Sequence, residues 1–253
     1  MEAIIQAAEE MHSPVMIATN AQVVEAHGID YLAKQAAAAA ELASVPVVHH
    51  LDHCFDEAIC QKAIAAGYPS VMIDHSHCSL EDNIEVTSRV VRSARAAGVG
   101  VEAEIGRIKG KSVEGVYEGD DYLAEVDSAV QIASQTHVTS LAVGIGTAHG
   151  FYKKKPQLHF QRLQEINEAI STPLVLHGGT GIPREDIQKA IRLGINKVNV
   201  GTQLHYCYVS TLRRVLQEDP EAYNVISVMT PVLEAVRENV KTCIEMCMSQ
   251  NRA

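Results

Sequence analysis

The segment Val47-Val48-His49-His50-Leu51-Asp52-His53 runs from an aliphatic stretch into a cluster of polar side chains. Two later aliphatic stretches end in a histidine in the same way: His149 follows residues 141–148, and His177 follows residues 173–176. The carboxyl ends of parallel strands meet at one rim of an α/β barrel, so these three imidazoles are expected to lie together there. Three protein ligands and one open position are typical of a catalytic zinc site.

Aliphatic segments alternate with amphipathic ones along the whole chain, which predicts an α/β fold with a parallel sheet. The 253 residues suit one barrel, so we expect a single domain over residues 1–253. Residues 1–11 predict a helix with no strand before it, so the predicted fold is a TIM (β/α)8-type barrel with its first strand missing. Strands are expected near 14–19, 45–51, 70–74, 100–105, 140–146, 173–177 and 197–200, and further helices near 22–43, 55–66, 82–97, 127–136, 160–170, 184–193, 203–217 and 231–247.

The composition narrows the class of protein. A formal charge of -10 argues against a nucleic-acid or anionic-membrane partner, although a phosphorylated small molecule can still bind to local cations and backbone N–H groups. The six cysteines form no CxxC motif, which favours a reduced, cytoplasmic setting. No apolar run approaches the roughly 18 residues of a membrane-spanning helix, which predicts a soluble protein. With no Trp and three Phe, the core is expected to be aliphatic, as in a barrel interior filled by branched side chains.

Asp52 and His53 are neighbours, and strict strand alternation would point them to opposite faces. Both side chains can reach one site only if the strand ends there and the backbone turns. The alternative for Asp52 is a role as the N-cap of the following helix.

Two more carboxylates, Asp74 and Glu104, close predicted strands. Each could orient a metal-ligating histidine or hold a second cation, and the alternative is an ordinary hydrogen-bonded carboxylate.

Glycine-rich turns follow the last two predicted strands, where such barrels frequently bind phosphate. Gly178-Gly179-Thr180-Gly181 leaves one strand, and Asn199-Val200-Gly201-Thr202 opens a helix after the next. Glycines allow backbone N–H groups to approach an anion, and a helix N-terminus favours its charge. Lys153, four residues after His149, adds a cation.

Residues 106–127 form the longest gap between a strand and a helix and are expected to be an active-site lid.

Six motifs follow one another in order, and through them the chain resembles the class II, zinc-dependent ketose-bisphosphate aldolases. The resemblance is greatest to the tagatose- and fructose-1,6-bisphosphate members. The motifs are His50-Leu51-Asp52-His53, Ser70-Val71-Met72-Ile73-Asp74, Val101-Glu102-Ala103-Glu104-Ile105-Gly106, Gly146-Thr147-Ala148-His149-Gly150, Val175-Leu176-His177-Gly178-Gly179 and Lys197-Val198-Asn199-Val200.

The resemblance implies that His53, His149 and His177 hold Zn²⁺. It also implies that Asp52 takes the proton from the C4 hydroxyl of a phosphorylated ketose during cleavage. The products would be dihydroxyacetone phosphate, whose enediolate the metal stabilises, and an aldehyde, with glyceraldehyde 3-phosphate expected. This chemistry needs no Schiff-base lysine.

The same resemblance implies further roles. His50 and Glu104 match residues near the metal, and Glu114, ahead of Glu118, is the candidate lid acid that protonates the carbanion. Arg237 is a loose match to an arginine that contacts the distal phosphate of the substrate bound in a neighbouring subunit. A homodimer or homotetramer is therefore expected. A monovalent cation, Na⁺ or K⁺, is expected near the residues that match the phosphate site, which are Gly150, Lys153, Gly178, Thr180, Asn199 and Thr202.

The chain departs from the family pattern in several places. His75 replaces a usual glycine, His49 replaces an aliphatic residue, and the lid lacks a Gly-Gly-x-Glu-Asp pattern. Gly201 stands where fructose enzymes tend to carry Asp and tagatose enzymes Ala, which argues against the fructose type without identifying the sugar. The missing strand and altered lid favour an alternative function, a non-catalytic aldolase-like barrel that acts as a partner or structural subunit. The intact Asp52 and histidines argue against it. A third alternative is another zinc barrel lyase for a related keto-sugar.

Overall fold

The computed structural model describes residues 1–112, 115–117, 123–152 and 155–253. Within them, parallel strands form one curled seven-stranded sheet whose order follows the chain. Its strands are β1 (Val15–Asn20), β2 (Val47–Cys54), β3 (Ser70–Ile73), β4 (Gly100–Ile105), β7 (Ser140–Val143), β9 (Leu174–Leu176) and β10 (Ile195–Val198). A small second sheet contains β5 (Lys109–Ser112), β6 (Gly115–Tyr117) and β8 (Ala148–His149).

Helices follow the strands and cover the outside of the sheet. Strands β1 and β10 form its two edges, and no strand in the described ranges pairs with their outer sides. The predicted barrel with one strand missing is confirmed. The helices are α1 (Glu2–Glu10), α2 (Ala21–His27), α3 (Ile29–Leu42), α4 (Glu57–Ala66), α5 (Leu80–Ala97), α6 (Val126–Thr136), α7 (Phe160–Ala169), α8 (Arg184–Arg192), α9 (Thr202–Glu218) and α10 (Val225–Met246).

Three segments differ from the sequence prediction. The helix expected over residues 22–43 is divided into α2 and α3 by Gly28, whose φ of +84° lies outside the helical region. Within the predicted lid, β5 and β6 pair antiparallel, although the sequence there shows no clear periodicity. The last helix begins at Val225 rather than near residue 231, because the side chain of Asn224 caps its first turn.

The main aliphatic core lies between the sheet and the helices. Strand residues such as Leu141 and Val143 pack there against helix residues such as Ile132 and Leu163. On the opposite face of the sheet, the described apolar cluster consists of Met72, Ala142 and Val175. The expected aliphatic core is confirmed, but it lies between the sheet and the helices and does not fill the barrel interior.

The strand registers show what occupies the interior instead. Met72 pairs with Glu102, and Glu102 pairs with Ser140, so these side chains share one face. By the same rule, Glu104 shares that face with Ala142 and Val175. Charged and hydroxyl side chains therefore line the barrel interior, where they can serve a site.

His49 lies on the outer face of β2, away from that interior. Its Nε2 is 2.9 Å from the hydroxyl of Thr19, and its ring lies 4.0 Å from that of Tyr68, centroid to centroid. The buried Nδ1 has no hydrogen-bond partner. Burial lowers the pKa of His49 to about 4.

This lowered pKa predicts acid sensitivity. Between pH 6.5 and 4 the unfolded chain binds a proton at His49 that the folded chain does not, so stability is present above pH 6.5 and falls as the pH drops. Between pH 7 and pH 5 this proton lowers the free energy of unfolding of the wild type by on the order of 2 kcal/mol. We expect His49→Gln to abolish this decrease. Thermal melts of chelator-treated protein at pH 7 and pH 5 measure it. His27→Gln, at an exposed position in α2, is the control and should keep the wild-type pH dependence.

No helix in the described part of the chain is long and apolar enough to cross a membrane. All six cysteines are free thiols.

Candidate metal centre

A bulge near the end of β2 brings Asp52 and His53 into one site. The pairing with β3 shifts between Leu51 and Cys54, and His53 has a φ of +42°. Such a bulge places two residues of one strand opposite one residue of its partner and redirects their side chains. The backbone turn that the sequence required thus occurs within the strand, which continues to Cys54 rather than ending at Asp52.

The alternative role for Asp52 is wrong. Helix α4 begins at Glu57, and its N-cap is Asp56, whose carboxylate accepts a hydrogen bond from the N–H of Ala58. Asp52 therefore does not cap that helix and is available to the site.

The three predicted histidines converge. Each offers a ring nitrogen, and these nitrogens all lie within 4.8 Å of one another. The ring of His53 lies 4.5 Å from that of His177 and 4.7 Å from that of His149, centroid to centroid. His149 does not end β7 as the sequence suggested, because it lies in β8 of the small sheet, after a loop.

The outward-facing nitrogens of two of these rings contact buried carboxylates. His53 Nδ1 lies 3.3 Å from Asp74 Oδ2, and His177 Nε2 lies 2.9 Å from Glu102 Oε1. The opposite nitrogens, His53 Nε2 and His177 Nδ1, approach each other at 2.7 Å. A histidine that binds a metal through one ring nitrogen generally donates a hydrogen bond from the N–H of the other to a carboxylate in this way. The three histidines therefore fit the binding of a metal ion.

Glu102 was missed as a site residue by sequence reasoning. It is 1% exposed and faces the barrel interior, as does Glu104 two residues later. Two glutamates at alternate positions of a buried strand were the available signal, because both then point to the same face.

Asp52 lies beside the histidines. Its Oδ1 accepts a hydrogen bond from Asn199 Nδ2 at 3.2 Å and lies 3.6 Å from His50 Nε2. Burial raises the pKa of Asp52, but the charge of His53 and of other basic groups nearby lowers it by more, so the net shift is downward. An ionised carboxylate in this place can accept a proton from a bound substrate.

Asp74 and Glu104 form a second group with His53 whose ligand atoms also lie within 4.8 Å of one another. Burial raises the pKa of Asp74, but the contact with His53 and a hydrogen bond from Ser76 outweigh it and bring the pKa to about 2. Burial and the charge of Asp74 raise the pKa of Glu104 well above its ordinary value. Glu104 Oε2 is buried without a hydrogen-bond partner, so this group has unused capacity to hold a cation.

The two predicted phosphate-binding loops are neighbours. The N–H of Gly179 donates to the carbonyl of Asn199 at 3.0 Å, and the N–H of Gln203 donates to Thr180 Oγ1 at 3.3 Å. Helix α9 begins at Thr202, and its N-cap residue, Gly201, makes no side-chain hydrogen bond, so the positive end of the helix can favour an anion here. Gly150 has a φ of +89° and follows His149 directly.

Tyr152 connects the loop of His149 to the loop of His177 and was missed by sequence reasoning. Its hydroxyl accepts a hydrogen bond from the N–H of Ala148 at 2.8 Å and donates one to the carbonyl of Gly178 at 3.0 Å. No sequence pattern indicated this link.

Gly178 has no room for a side chain. Its φ is +69°, and a Cβ would lie 2.5 Å from the carbonyl oxygen of Ala148. We expect Gly178→Ala to lower the free energy of unfolding by about 1–3 kcal/mol more than Gly98→Ala does. Gly98 has a φ of +71° with nothing within 4 Å of a Cβ, so it controls for the backbone penalty alone. Equal losses in urea denaturation would contradict the close contact.

Other predicted residues lie apart from this centre. Glu114 and Lys153 fall outside the described residues. Arg237, in α10, lies 3.6 Å from Glu10 Oε1 of α1 and does not contact the histidines. It is therefore not part of the metal centre formed by this chain.

The fold and the centre are together those of an α/β-barrel enzyme with a histidine cluster able to bind a metal. The chain belongs to the class II fructose-bisphosphate aldolase family, whose model matches residues 1–252. It is a class II aldolase, a carbon–carbon lyase that acts on phosphorylated sugars.

Similar proteins differ in the sugar named. A sulfofructosephosphate aldolase from Alkalicoccus urumqiensis is 38% identical over 254 residues, which cover 100% of this chain and 88% of the relative. A fructose-bisphosphate aldolase from Staphylococcus epidermidis is 42% identical over 210 residues, covering 83% of this chain and 73% of the relative. The crystal structure of the YdjI aldolase from Escherichia coli K12 has a TM-score of 0.82 at 31% identity, over 99% of this chain and 88% of that one.

Proposed function

We propose that this chain is a zinc-dependent aldolase. It would cleave a ketose 1,6-bisphosphate reversibly into dihydroxyacetone phosphate and an aldehyde, with glyceraldehyde 3-phosphate expected. The observation that carries the proposal is the convergence of His53, His149 and His177 beside the carboxylate of Asp52. Zinc, when bound by these histidines, supplies a Lewis acid that polarises the substrate carbonyl.

Asp52 is the proposed base. In the cleavage direction its carboxylate takes the proton of the C4 hydroxyl, the C3–C4 bond breaks, and the aldehyde leaves. The electron pair stays on the dihydroxyacetone phosphate half, which then takes a proton at C3. Asn199 holds Asp52 from one side, so the carboxylate is fixed before substrate binds.

The acid that protonates C3 is proposed to be Glu114 of the lid, by resemblance to the family. In condensation the same steps run in reverse, and Asp52 returns its proton to the C4 oxygen.

The loops after β9 and β10 are proposed to hold the phosphate of the dihydroxyacetone half. Their backbone N–H groups and the N-terminus of α9 favour an anion in a protein of net negative charge. A monovalent cation, Na⁺ or K⁺, would sit near this phosphate. The residues proposed to bind the phosphate are Gly150, Lys153, Gly178, Thr180, Asn199 and Thr202.

The remaining roles are also proposals. His50, Asp74 and Glu104 would orient the ligands or hold an alternate cation, and Arg237 would meet the distal phosphate of a neighbouring subunit. We further infer one domain over residues 1–253, a cytoplasmic setting, and a homodimer or homotetramer.

A substrate panel tests the proposal. Fructose, tagatose and sorbose 1,6-bisphosphates, together with sulfofructose phosphate, are offered to the zinc-loaded protein, and released dihydroxyacetone phosphate is measured. We expect release from at least one bisphosphate. Release from sulfofructose phosphate alone would overturn the proposed substrate, and zinc binding without any release would favour the non-catalytic alternative.

A further inference from the structure

We propose that Glu102 and Lys197 are positioning residues that fix the tautomer of His177, so that its Nδ1 is free to bind the metal. This inference rests on the proposed function, because it concerns the same metal centre. Glu102 Oε1 lies 2.9 Å from His177 Nε2, and Glu102 Oε2 accepts from Lys197 Nζ at 2.8 Å.

The pair is held by neighbouring strands. Glu102 lies on β4, Ser140 on β7 and Lys197 on β10, while His177 directly follows β9. Ser140 donates to Glu102 Oε2 at 3.0 Å, so both carboxylate oxygens are occupied by donors. Four adjacent strands therefore contribute to one contact chain, which also links the edge strand β10 to the metal centre.

The position of the proton on His177 follows from which atoms can donate. A lysine ammonium offers only donors, so Glu102 Oε2 must accept from Lys197. An ionised carboxylate accepts only, so Oε1 must receive the proton of His177 Nε2. His177 is then left with a lone pair at Nδ1, the nitrogen that faces His53 Nε2 at 2.7 Å. Glu102 is 1% exposed, so water does not compete for these contacts.

Glu102→Gln changes this order in a defined way. The amide oxygen of glutamine would turn toward Lys197, because the ammonium cannot accept a hydrogen bond. Its NH₂ group would then face His177 Nε2, which must accept, and the imidazole proton would move to Nδ1. A proton at Nδ1 competes with the metal, so we expect Zn²⁺ affinity to fall about 10–100-fold.

A second substitution should reverse the effect. In Glu102→Gln/Lys197→Met the amide oxygen is released from the lysine and can again accept from His177 Nε2. We expect the double variant to bind Zn²⁺ nearly as tightly as Lys197→Met alone, and more tightly than Glu102→Gln. A simple loss of packing would not produce this coupling between the two substitutions. Arg89→Met, which removes ion pairs with Glu57 and Glu85 on the outer helices, is the control and should bind Zn²⁺ as the wild type does.

Two measurements on metal-stripped protein test the proposal: Zn²⁺ affinity by chelator competition, and ¹⁵N NMR shifts of the His177 ring. We expect an Nε2–H tautomer in the wild type and an Nδ1–H tautomer in Glu102→Gln. Unchanged affinity and tautomer in Glu102→Gln, or no recovery in the double variant, would overturn it. If the wild type binds zinc and turns over substrate in that case, the proposed function stands while this inference fails. If the wild type binds no zinc, both fail.

Discussion

Asp52→Asn is expected to lower the rate of aldol cleavage by about 10²–10⁴-fold, the usual contribution of a positioned general base. Asparagine has nearly the same shape and can still accept the hydrogen bond from Asn199, but its amide does not take the C4 hydroxyl proton. Zinc affinity should change little, because Asp52 is not among the three proposed ligands. Steady-state cleavage assays at saturating zinc measure the effect.

Asp56→Asn is the matched control for this prediction. Asp56 lies four residues further along the chain and caps α4, a role that asparagine also performs well. Its activity should remain at the wild-type level. Wild-type turnover by Asp52→Asn would remove Asp52 from the mechanism, whatever the metal does.

His149→Ala is expected to weaken Zn²⁺ binding by more than about 100-fold, beyond the usual effect of losing an orienting contact. Cleavage activity at limiting zinc should be lost with it. His149 is the best of the three proposed ligands to remove, because its substitution leaves the buried Asp74 and Glu102 with their histidine partners. Chelator competition gives the affinity.

His27→Ala controls for the loss of an imidazole. His27 is exposed at the end of α2, and it belongs to none of the clusters of described residues that could hold a metal ion. It should retain wild-type zinc affinity and activity. A His149→Ala protein that binds zinc as tightly as this control would show that the ion is held elsewhere.

Much of the fold follows from the sequence alone. Most barrel strands contain a short aliphatic run, and helices with a periodic apolar face come between them along the chain, so local patterns largely determine element type and order. The convergence of His53 and His177 follows from the same order, because parallel strands bring their carboxyl ends to one rim. The sequence of residues 1–11 likewise predicts a helix, which is confirmed as α1.

The rest of the site depends on pairing between distant segments. Glu102 and Lys197 are 95 residues apart, and only the sheet brings their side chains to 2.8 Å. The positive φ of His53 is also not predictable from the sequence, because residues with a side chain seldom adopt it. It accompanies the shifted pairing of β2 with β3 and no local turn motif. His149 reaches the centre through the small sheet and Tyr152, and no periodicity in the sequence indicates that route.

Aldol cleavage is proposed to depend on a metal ion held by the three converging histidines. The most direct measurement is cleavage of a ketose 1,6-bisphosphate by the same protein sample before stripping, after stripping with a chelator, and after Zn²⁺ is returned. We predict activity before stripping, loss after it, and recovery as about one equivalent of zinc binds. Full activity in the stripped protein would contradict the account.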